Sequence, residues 1–195
     1  MRWFLLLSLS FFAAGAHAGD GPDDVVKQVA NQVLAVLNSS GDITHDRKKL
    51  HDLADRSVMI HFDFDRMTRI ALGESWKDAT QVQKATLIRD FRILIANACA
   101  NVLSLYDGQE IVFSPSGVHR GNQARVRTRL VEADGEATRM DFLMEKTASG
   151  WEIYDVVIDN VSMLSIYRVS FGLEVRLGGI KRLIDMLQER DRSSL

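Results

Sequence analysis

The chain has 195 residues but only one cysteine, Cys99, and two prolines. A single cysteine excludes an intramolecular disulfide, so the fold has to be stabilised by burial of apolar side chains. Cys99 lies in an apolar helical stretch, and we interpret it as a small buried hydrophobic residue. Beyond residue 18 the sequence also lacks any apolar run of the roughly 20 residues that a membrane-spanning helix requires.

The sequence also lacks an excess of positive charge and lacks the common catalytic motifs. The chain has 24 Lys and Arg against 26 Asp and Glu, for a formal net charge of −2. Because nucleic-acid binding needs a basic surface, this balance argues against it. The motifs of serine hydrolases, zinc proteases, phosphate-binding loops and dithiol oxidoreductases are absent. No histidines have metal-ligand spacing, and we expect neither a metal nor an organic cofactor.

The N-terminus has the three-part pattern of a secretory signal peptide. Arg2 supplies a positive charge, residues 3–14 are uncharged and mostly apolar, and residues 16–18 (Ala-His-Ala) place small residues around a bulky one. We expect residues 1–18 to be removed by cleavage after Ala18, which leaves a soluble exported protein. No cysteine follows the predicted cut, so lipid attachment there is not expected.

The first half of the remaining chain has helical periodicity. Pro22 suits the first turn of a helix, where its missing N–H costs little. Asp63 is placed to cap a short helix, and Thr80 with Gln83 has capping-box spacing. The box predicts the start of a long helix over residues 80–106, whose apolar stripe is broad. That stripe comprises Leu87, Phe91, Leu94, Ala98, Val102 and Leu105.

The second half switches to the alternation of β-strands. Apolar and polar residues alternate over residues 124–130 and 139–145, and Asp134-Gly135 between them is a hairpin signal. Residues 109–113 and 151–161 predict two further strands. The order of elements predicts an α+β fold, with a helical N-terminal lobe and an antiparallel four-stranded sheet packed on helices.

The strand over residues 151–161 is predicted to be central, because it is apolar on both faces. Alternation places Tyr154 and Val156 on the same face of it. Ser162 can cap the next helix, which residues 178–179 (Gly-Gly) interrupt before a terminal amphipathic helix. We expect residues 19–195 to form one two-lobed domain.

Two acidic pairs allow chemical interpretations. Asp155 and Asp159 could act as general acid and base, but no histidine or nucleophile is close in sequence, and we favour structural roles. Asp63 and Asp65 could hold a cation, but an N-cap with a first-turn carboxylate explains both. The arginines within residues 125–129 form a basic strand face, which we interpret as solvated in preference to a lipid-headgroup or partner site.

Several segments taken together indicate a family. They read FDFDRMTRIALGESW, ATQVQ, FRIL, YDGQ, GWEIYDV and VSMLSIYRVSF, at residues 62–76, 79–83, 91–94, 106–109, 150–156 and 161–171. This succession resembles the toluene-tolerance family, the MlaC-type periplasmic phospholipid carriers of Gram-negative bacteria, over residues 23–187. The sequence departs from the family where Cys99 stands for a usual tyrosine and Asn160 for a usual glycine. The second departure is mild, because Asn tolerates left-handed backbone conformations.

The resemblance implies a monomeric periplasmic phospholipid carrier without catalytic activity. Its partners would be an inner-membrane ABC transporter with an MCE-type subunit and an outer-membrane lipoprotein–porin complex. Shuttling between them, with only transient membrane contact, would maintain outer-membrane lipid asymmetry. Three alternatives stay open: a carrier for hopanoid-like lipids, an isomerase-like enzyme on a cone-shaped fold with Asp155 or Asp159 as base, and an interaction module with a filled core.

The resemblance also implies a lipid cavity between the sheet and the helices. The apolar alternation of the sheet and the stripe of the long helix supply its predicted lining. The lining residues are Phe91, Leu94, Phe113, Val126, Phe142, Met144, Tyr154, Val156, Met163 and Tyr167. Arg168 is predicted to contact a lipid headgroup or an acidic partner, because a guanidinium matches phosphate geometry.

Overall fold

The computed structural model describes residues 21–39, 43–114 and 118–194. The predicted signal peptide lies outside the described residues. The architecture is α+β, as predicted: along the described residues, several helices are followed by an antiparallel sheet and then by a long helix. Within the described ranges, none of the helices has the length and apolar character needed to cross a membrane.

Between residue 21 and the sheet, the described residues form four α-helices. They are α1 (Pro22–Ser39), α2 (Arg47–Leu53), α3 (Phe64–Leu72) and α4 (Gln81–Leu103). A π-helical segment and two 3-10 segments join or extend them, at Ala54–Val58, Met59–His61 and Gly73–Trp76. Pro22 is the first residue of α1, where a missing N–H leaves no helical hydrogen bond unmade.

The predicted caps set the starts of α3 and α4. The Asp63 carboxylate accepts a hydrogen bond from the backbone N–H three residues on, at 2.9 Å. Thr80 and Gln83 form both bonds of the capping box, at 3.2 and 2.9 Å. The helix α4 ends at Leu103 rather than at the predicted Tyr106, because the last residues tighten into hydrogen bonds between residues three apart.

The sheet has more strands than the four predicted. Its path is β1-β3-β4-β5-β6, with β2 pairing to the same edge of β3 as β1, and all pairs are antiparallel. The strands are β1 (Glu110–Phe113), β2 (Val118–Arg120), β3 (Gln123–Val131), β4 (Ala137–Thr147), β5 (Gly150–Ile158) and β6 (Val161–Ser162). The strand β6 forms because Asp159 and Asn160 both have positive φ, 46° and 68°, which is the geometry of a two-residue type I′ turn.

The buried apolar side chains of the described residues form three clusters. The helical cluster joins α3, α4 and α5 (Met163–Ser194), and its fully buried members include Met67, Leu87, Phe91 and Phe171. The α1–α2 cluster contains Val29, Val33, Leu37 and Leu50. The sheet cluster places Val26 of α1 against Val126, Met144 and Ile153. The helix α1 therefore extends from the sheet to α2, with its buried valines as its main contacts.

The helix α5 is broken at two glycines, as predicted. Gly178 and Gly179 have non-helical backbone angles, and φ of Gly179 is +71°. A Cβ at Gly178 would lie 2.7 Å from Cδ of Arg182, so the missing side chain lets Arg182 lie across the break. Arg182 then pairs with Glu174 at 2.8 Å, which joins the two halves.

We predict that Gly179→Ala lowers the free energy of unfolding by about 1–3 kcal/mol, because φ +71° with ψ −173° is a conformation that only glycine adopts without strain. Urea unfolding followed by circular dichroism measures the change. Gly172→Ala in the same helix is the matched control, and it should be neutral or stabilising by about 0.5–1 kcal/mol. Equal effects of the two substitutions would contradict the prediction.

Candidate functional site

Five of the predicted lining residues lie on one face of the sheet. Val126 on β3 lies directly opposite Phe142 on β4, and Phe142 lies opposite Val156 on β5. Met144 is on the same face of β4 and, like Val126, is completely buried. Phe113 packs against the margin of the cluster. The strand register therefore brings together five of the ten predicted residues.

A β-bulge removes Tyr154 from that face. The pairing of β4 with β5 shifts just before Met144, so that Ile153 rather than Tyr154 lies opposite Met144. Tyr154 packs instead against the helical cluster, with the guanidinium carbon of Arg66 3.9 Å from its ring centre. The prediction that Tyr154 and Val156 share a face is wrong, because an extra residue in one strand reverses the alternation beyond it.

The helical side of the site is an aromatic cluster. The ring of Phe91 lies edge-on to those of Tyr167 and Phe171, with centroids 5.0 and 5.2 Å apart, and Phe64 approaches it at 6.4 Å. Leu94, one turn along α4, packs against the same cluster. Sequence reasoning missed Phe171, although its position four residues after Tyr167 places both on one side of a helix.

Met163 and Phe62 connect the two sides. Each contacts both the sheet cluster and the helical cluster, and we call this line of contact the apolar seam. Phe62 was not predicted as a site residue. It forms an isolated bridge to Ile153, and the N–H of Asp63 donates to the Ile153 carbonyl at 2.9 Å. A single bridge between residues so distant in sequence produces no periodic pattern of apolar residues, so the sequence could not predict it.

The side chains at the apolar seam pack closely on one another. Phe91, Val126 and Met144 have 0% of their surface exposed. Leu94 also faces an open groove of about 450 Å³ between α4 and the end of α5, together with Ala98 and Met186. The cavity between the sheet and the helices stays a prediction. Its predicted lining residues lie in or against the sheet cluster and the helical cluster, which we call the two walls of the seam.

The buried carboxylate of Asp155 has a structural position. It accepts hydrogen bonds from the backbone N–H groups of Val156 and Leu164, at 2.9 and 3.1 Å, and from the Ser162 hydroxyl at 2.6 Å. These bonds connect β5 to β6 and to the first turn of α5. Asp159 lies in the exposed turn, where it accepts from a backbone N–H of β4. The two carboxylates therefore hold separate backbone segments, as the structural interpretation predicts.

The other charged candidates lie against neighbouring residues of the chain. Asp65 forms an ion pair with Arg69 one turn along α3. Arg125 lies 3.3 Å from the buried carboxylate of Asp141 on the next strand. Arg168 is exposed, and its guanidinium lies against Gly73 at the end of α3. Across the part of the chain that the structure describes, no three His, Cys, Asp or Glu side chains are grouped to hold a metal ion.

Cys99 lies at the margin of the helical cluster. Burial raises the pKa of its thiol to about 11, because the apolar surroundings disfavour the thiolate. At neutral pH the thiol is therefore protonated and a poor nucleophile. This agrees with its interpretation as a small buried hydrophobic residue.

The fold and the seam define a class of small α+β proteins in which one antiparallel sheet and a layer of helices meet along an apolar contact. Residues 27–189 match the family model described as MlaC protein, so the chain belongs to the MlaC family. The resemblance found in the sequence is thereby confirmed.

Two relatives illustrate the similarity. The chain is 23% identical over 197 residues to the intermembrane phospholipid transport system binding protein MlaC of Haemophilus influenzae, covering 96% of this chain and 92% of that protein. It also resembles the solved structure of a phospholipid-binding protein from Ralstonia solanacearum in complex with a phospholipid. That match has a TM-score of 0.80 at 26% identity, and covers 88% of this chain and 97% of the other.

We predict that Asp155→Asn lowers the free energy of unfolding by about 1–3 kcal/mol, because the amide nitrogen that replaces one carboxylate oxygen cannot accept a hydrogen bond, and one of the three donors loses its acceptor. Asp159→Asn makes the same change in the exposed turn and should cost less than about 0.5 kcal/mol. Urea unfolding of both variants measures the difference. A similar loss in both would show that Asp155 does not hold α5 in place.

Proposed function

We propose that residues 19–195 form a monomeric, two-lobed periplasmic carrier of phospholipid without catalytic activity. The apolar seam carries this proposal, because its two walls offer hydrocarbon surface from the sheet on one side and aromatic rings from the helices on the other. Membership of the MlaC family supports it, as do a relative named for phospholipid transport and a similar structure that holds a phospholipid.

The ten predicted lining residues then act together when the walls of the seam part. Val126, Phe142 and Val156 lie on the sheet wall, whereas Phe91 and Tyr167 lie on the helical wall. Met163 contacts both walls and is placed where they would separate. Acyl chains would take over contacts that these side chains now make with one another.

The energetics of burial fit a carrier that has to release its cargo. A diacyl lipid has on the order of 30 methylenes, and at ~0.8 kcal/mol each their full burial is worth ~24 kcal/mol. This exceeds the ceiling of about 18–21 kcal/mol for non-covalent affinity. Separating the two walls of the seam breaks apolar contacts, and this cost offsets part of the free energy gained by burying the acyl chains. The headgroup stays near solvent, and Arg168 is placed to meet it or an acidic partner.

The same proposal assigns the location and the route. The carrier acts in the periplasm, between an inner-membrane ABC transporter with an MCE-type subunit and an outer-membrane lipoprotein–porin complex, and so maintains outer-membrane lipid asymmetry. The signal-peptide pattern of residues 1–18 and the transport system named for the Haemophilus influenzae relative support it.

The signal-peptide pattern of residues 1–18 leads to a testable prediction about the mature N-terminus. Protein recovered from the periplasmic fraction should begin at Gly19, because the small residues before it fit the signal peptidase site. N-terminal sequencing of that fraction checks the cut, with the cytoplasmic fraction as the control for unprocessed chain. Periplasmic material that still begins at Met1 would refute the prediction.

Lipid content tests the function itself. The purified protein, extracted with organic solvent and analysed by mass spectrometry, should yield phospholipid. Val126→Met and Phe142→Trp should lower the lipid-to-protein ratio at least twofold, because added bulk on the sheet wall narrows the space for acyl chains. Val112→Met is the matched control, since Val112 lies on the opposite face of the sheet, across from Arg129.

The outcomes separate the proposal from its alternatives. Unchanged lipid content in both sheet variants, with native circular dichroism, would reject the assignment of the lining residues. A polycyclic hopanoid-like lipid in the extract would favour the sibling carrier. Wild-type protein free of any lipid would remove the carrier function and leave an interaction module with a filled core.

A further inference from the structure

An ion pair joins the helical wall of the apolar seam to the sheet. Arg66 belongs to α3, whose apolar residues lie in the helical cluster, and Glu145 follows Met144 of the sheet cluster on β4. The two side chains form an ion pair, and each is only 25% exposed. We call Arg66 and Glu145 the seam ion pair. Because its members belong to different walls, the pair is broken when α3 moves away from the sheet.

Neither charge suits its own element of secondary structure. Arg66 is the third residue of α3, where the helix dipole favours an acidic side chain and a capping box would have Glu or Gln. Glu145 lies directly opposite Glu152 on β5, and like charges in that position destabilise a sheet. Residues that break a local rule on two separate elements indicate a role that neither element explains alone.

The surroundings of the seam ion pair hold both side chains in position. The backbone N–H of Arg66 donates to the carboxylate of Asp63 at 2.9 Å. The guanidinium carbon of Arg66 lies 3.9 Å from the ring centre of Tyr154, within range of a cation–π interaction. Glu145 accepts a hydrogen bond from the side-chain amide of Asn122 at 2.9 Å. The β-bulge therefore places Tyr154 where its ring positions the cation of the pair.

The seam ion pair lies outside the predicted lipid lining. Neighbouring residues of a strand point to opposite faces, so Glu145 points away from the face that Met144 shares with Phe142 and Val126. Removing the charge of Glu145 therefore leaves the apolar lining unchanged. Because both side chains are largely buried, water and salt screen their attraction less than that of an exposed pair. The pair can thus affect how readily the walls separate without affecting how much lipid fits between them.

We propose that the seam ion pair holds the two walls together and sets the rate at which phospholipid enters and leaves. The inference rests on the proposed function and deepens it, because it names the residues that control release. Arg66 and Glu145 are positioning residues, which act through the contact of α3 with the sheet and not by touching lipid. Release should therefore be slow in the wild-type protein and faster when either charge is removed.

Lipid release from the purified protein tests the pair. The protein is loaded with phosphatidylethanolamine carrying a fluorescent acyl chain and mixed with vesicles of phosphatidylcholine, and fluorescence follows the transfer. Arg66→Gln and Glu145→Gln should each raise the release rate by about fivefold or more, because each leaves a largely buried charge without its partner. Arg69→Gln is the matched control, since Arg69 lies one turn along α3 and pairs with Asp65 of the same helix. Its release rate should stay within about twofold of wild type.

Charge reversal separates the ion pair from the two individual side chains. Arg66→Glu should raise the release rate because it repels Glu145, and adding Glu145→Arg should lower the rate again by about fivefold because the attraction returns. Arg66→Gln combined with Glu145→Gln should release lipid no faster than Arg66→Gln alone, since one interaction can be lost only once. Additive effects, failure of the reversed pair to slow release, or wild-type rates in both single variants would each overturn the proposal.

Hydrogen exchange measures separation of the walls without lipid. The N–H of Asp63 donates to the Ile153 carbonyl across the seam, whereas the N–H of Leu50 donates to the Asp46 carbonyl within the α1–α2 cluster, at 3.0 Å. In Glu145→Gln the Asp63 amide should exchange about fivefold faster while the Leu50 amide keeps its wild-type rate. Equal acceleration at both amides would show general destabilisation and overturn the proposal. Wild-type protein that binds no lipid would reject the carrier function, whereas faster exchange at Asp63 alone would still assign the seam ion pair to holding α3 on the sheet.

Discussion

A buried carboxylate fixes how the helices meet the sheet. Asp155 accepts from the backbone of its own strand, from Ser162 and from the N–H of Leu164, so one side chain sets the distance between β5 and the first turn of α5. Met163 and Tyr167 stand in the first two turns of that helix, and their positions at the apolar seam depend on this connection. A role for Asp155 as a catalytic base would require it to give up bonds that hold the structure together.

For the proposed carrier, the apolar seam is the place where the fold would open to admit lipid. Within each cluster the contacts involve many residues, whereas the residues that pack against both the sheet cluster and the helical cluster are Phe62 and Met163. Separating the clusters therefore exposes less apolar surface than unfolding either of them. For the proposed carrier, the burial of acyl chains would offset the cost of this separation.

Local signals in the sequence predicted much of the fold. The capping box at Thr80 and the cap at Asp63 depend on residues three positions apart, and both are present in the structure. The β-bulge that displaces Tyr154 and the bridge formed by Phe62 depend on pairing between distant strands and segments. Such pairing has no period of its own, so the sequence did not predict Phe62 as a site residue or the displacement of Tyr154 from the face of Val156.

The helix α1 lies over the sheet through Val25 and Val26 and reaches the α1–α2 cluster through Val33 and Leu37. Aliphatic contacts have no preferred direction, and one hydrocarbon surface can replace another at little net cost. An acyl chain that binds this sheet face would replace the apolar contacts made by the valines of α1 with similar apolar contacts. For the proposed carrier, α1 would therefore compete with the lipid for this sheet face, and the strength of its contacts with the sheet would help to set how tightly lipid is retained.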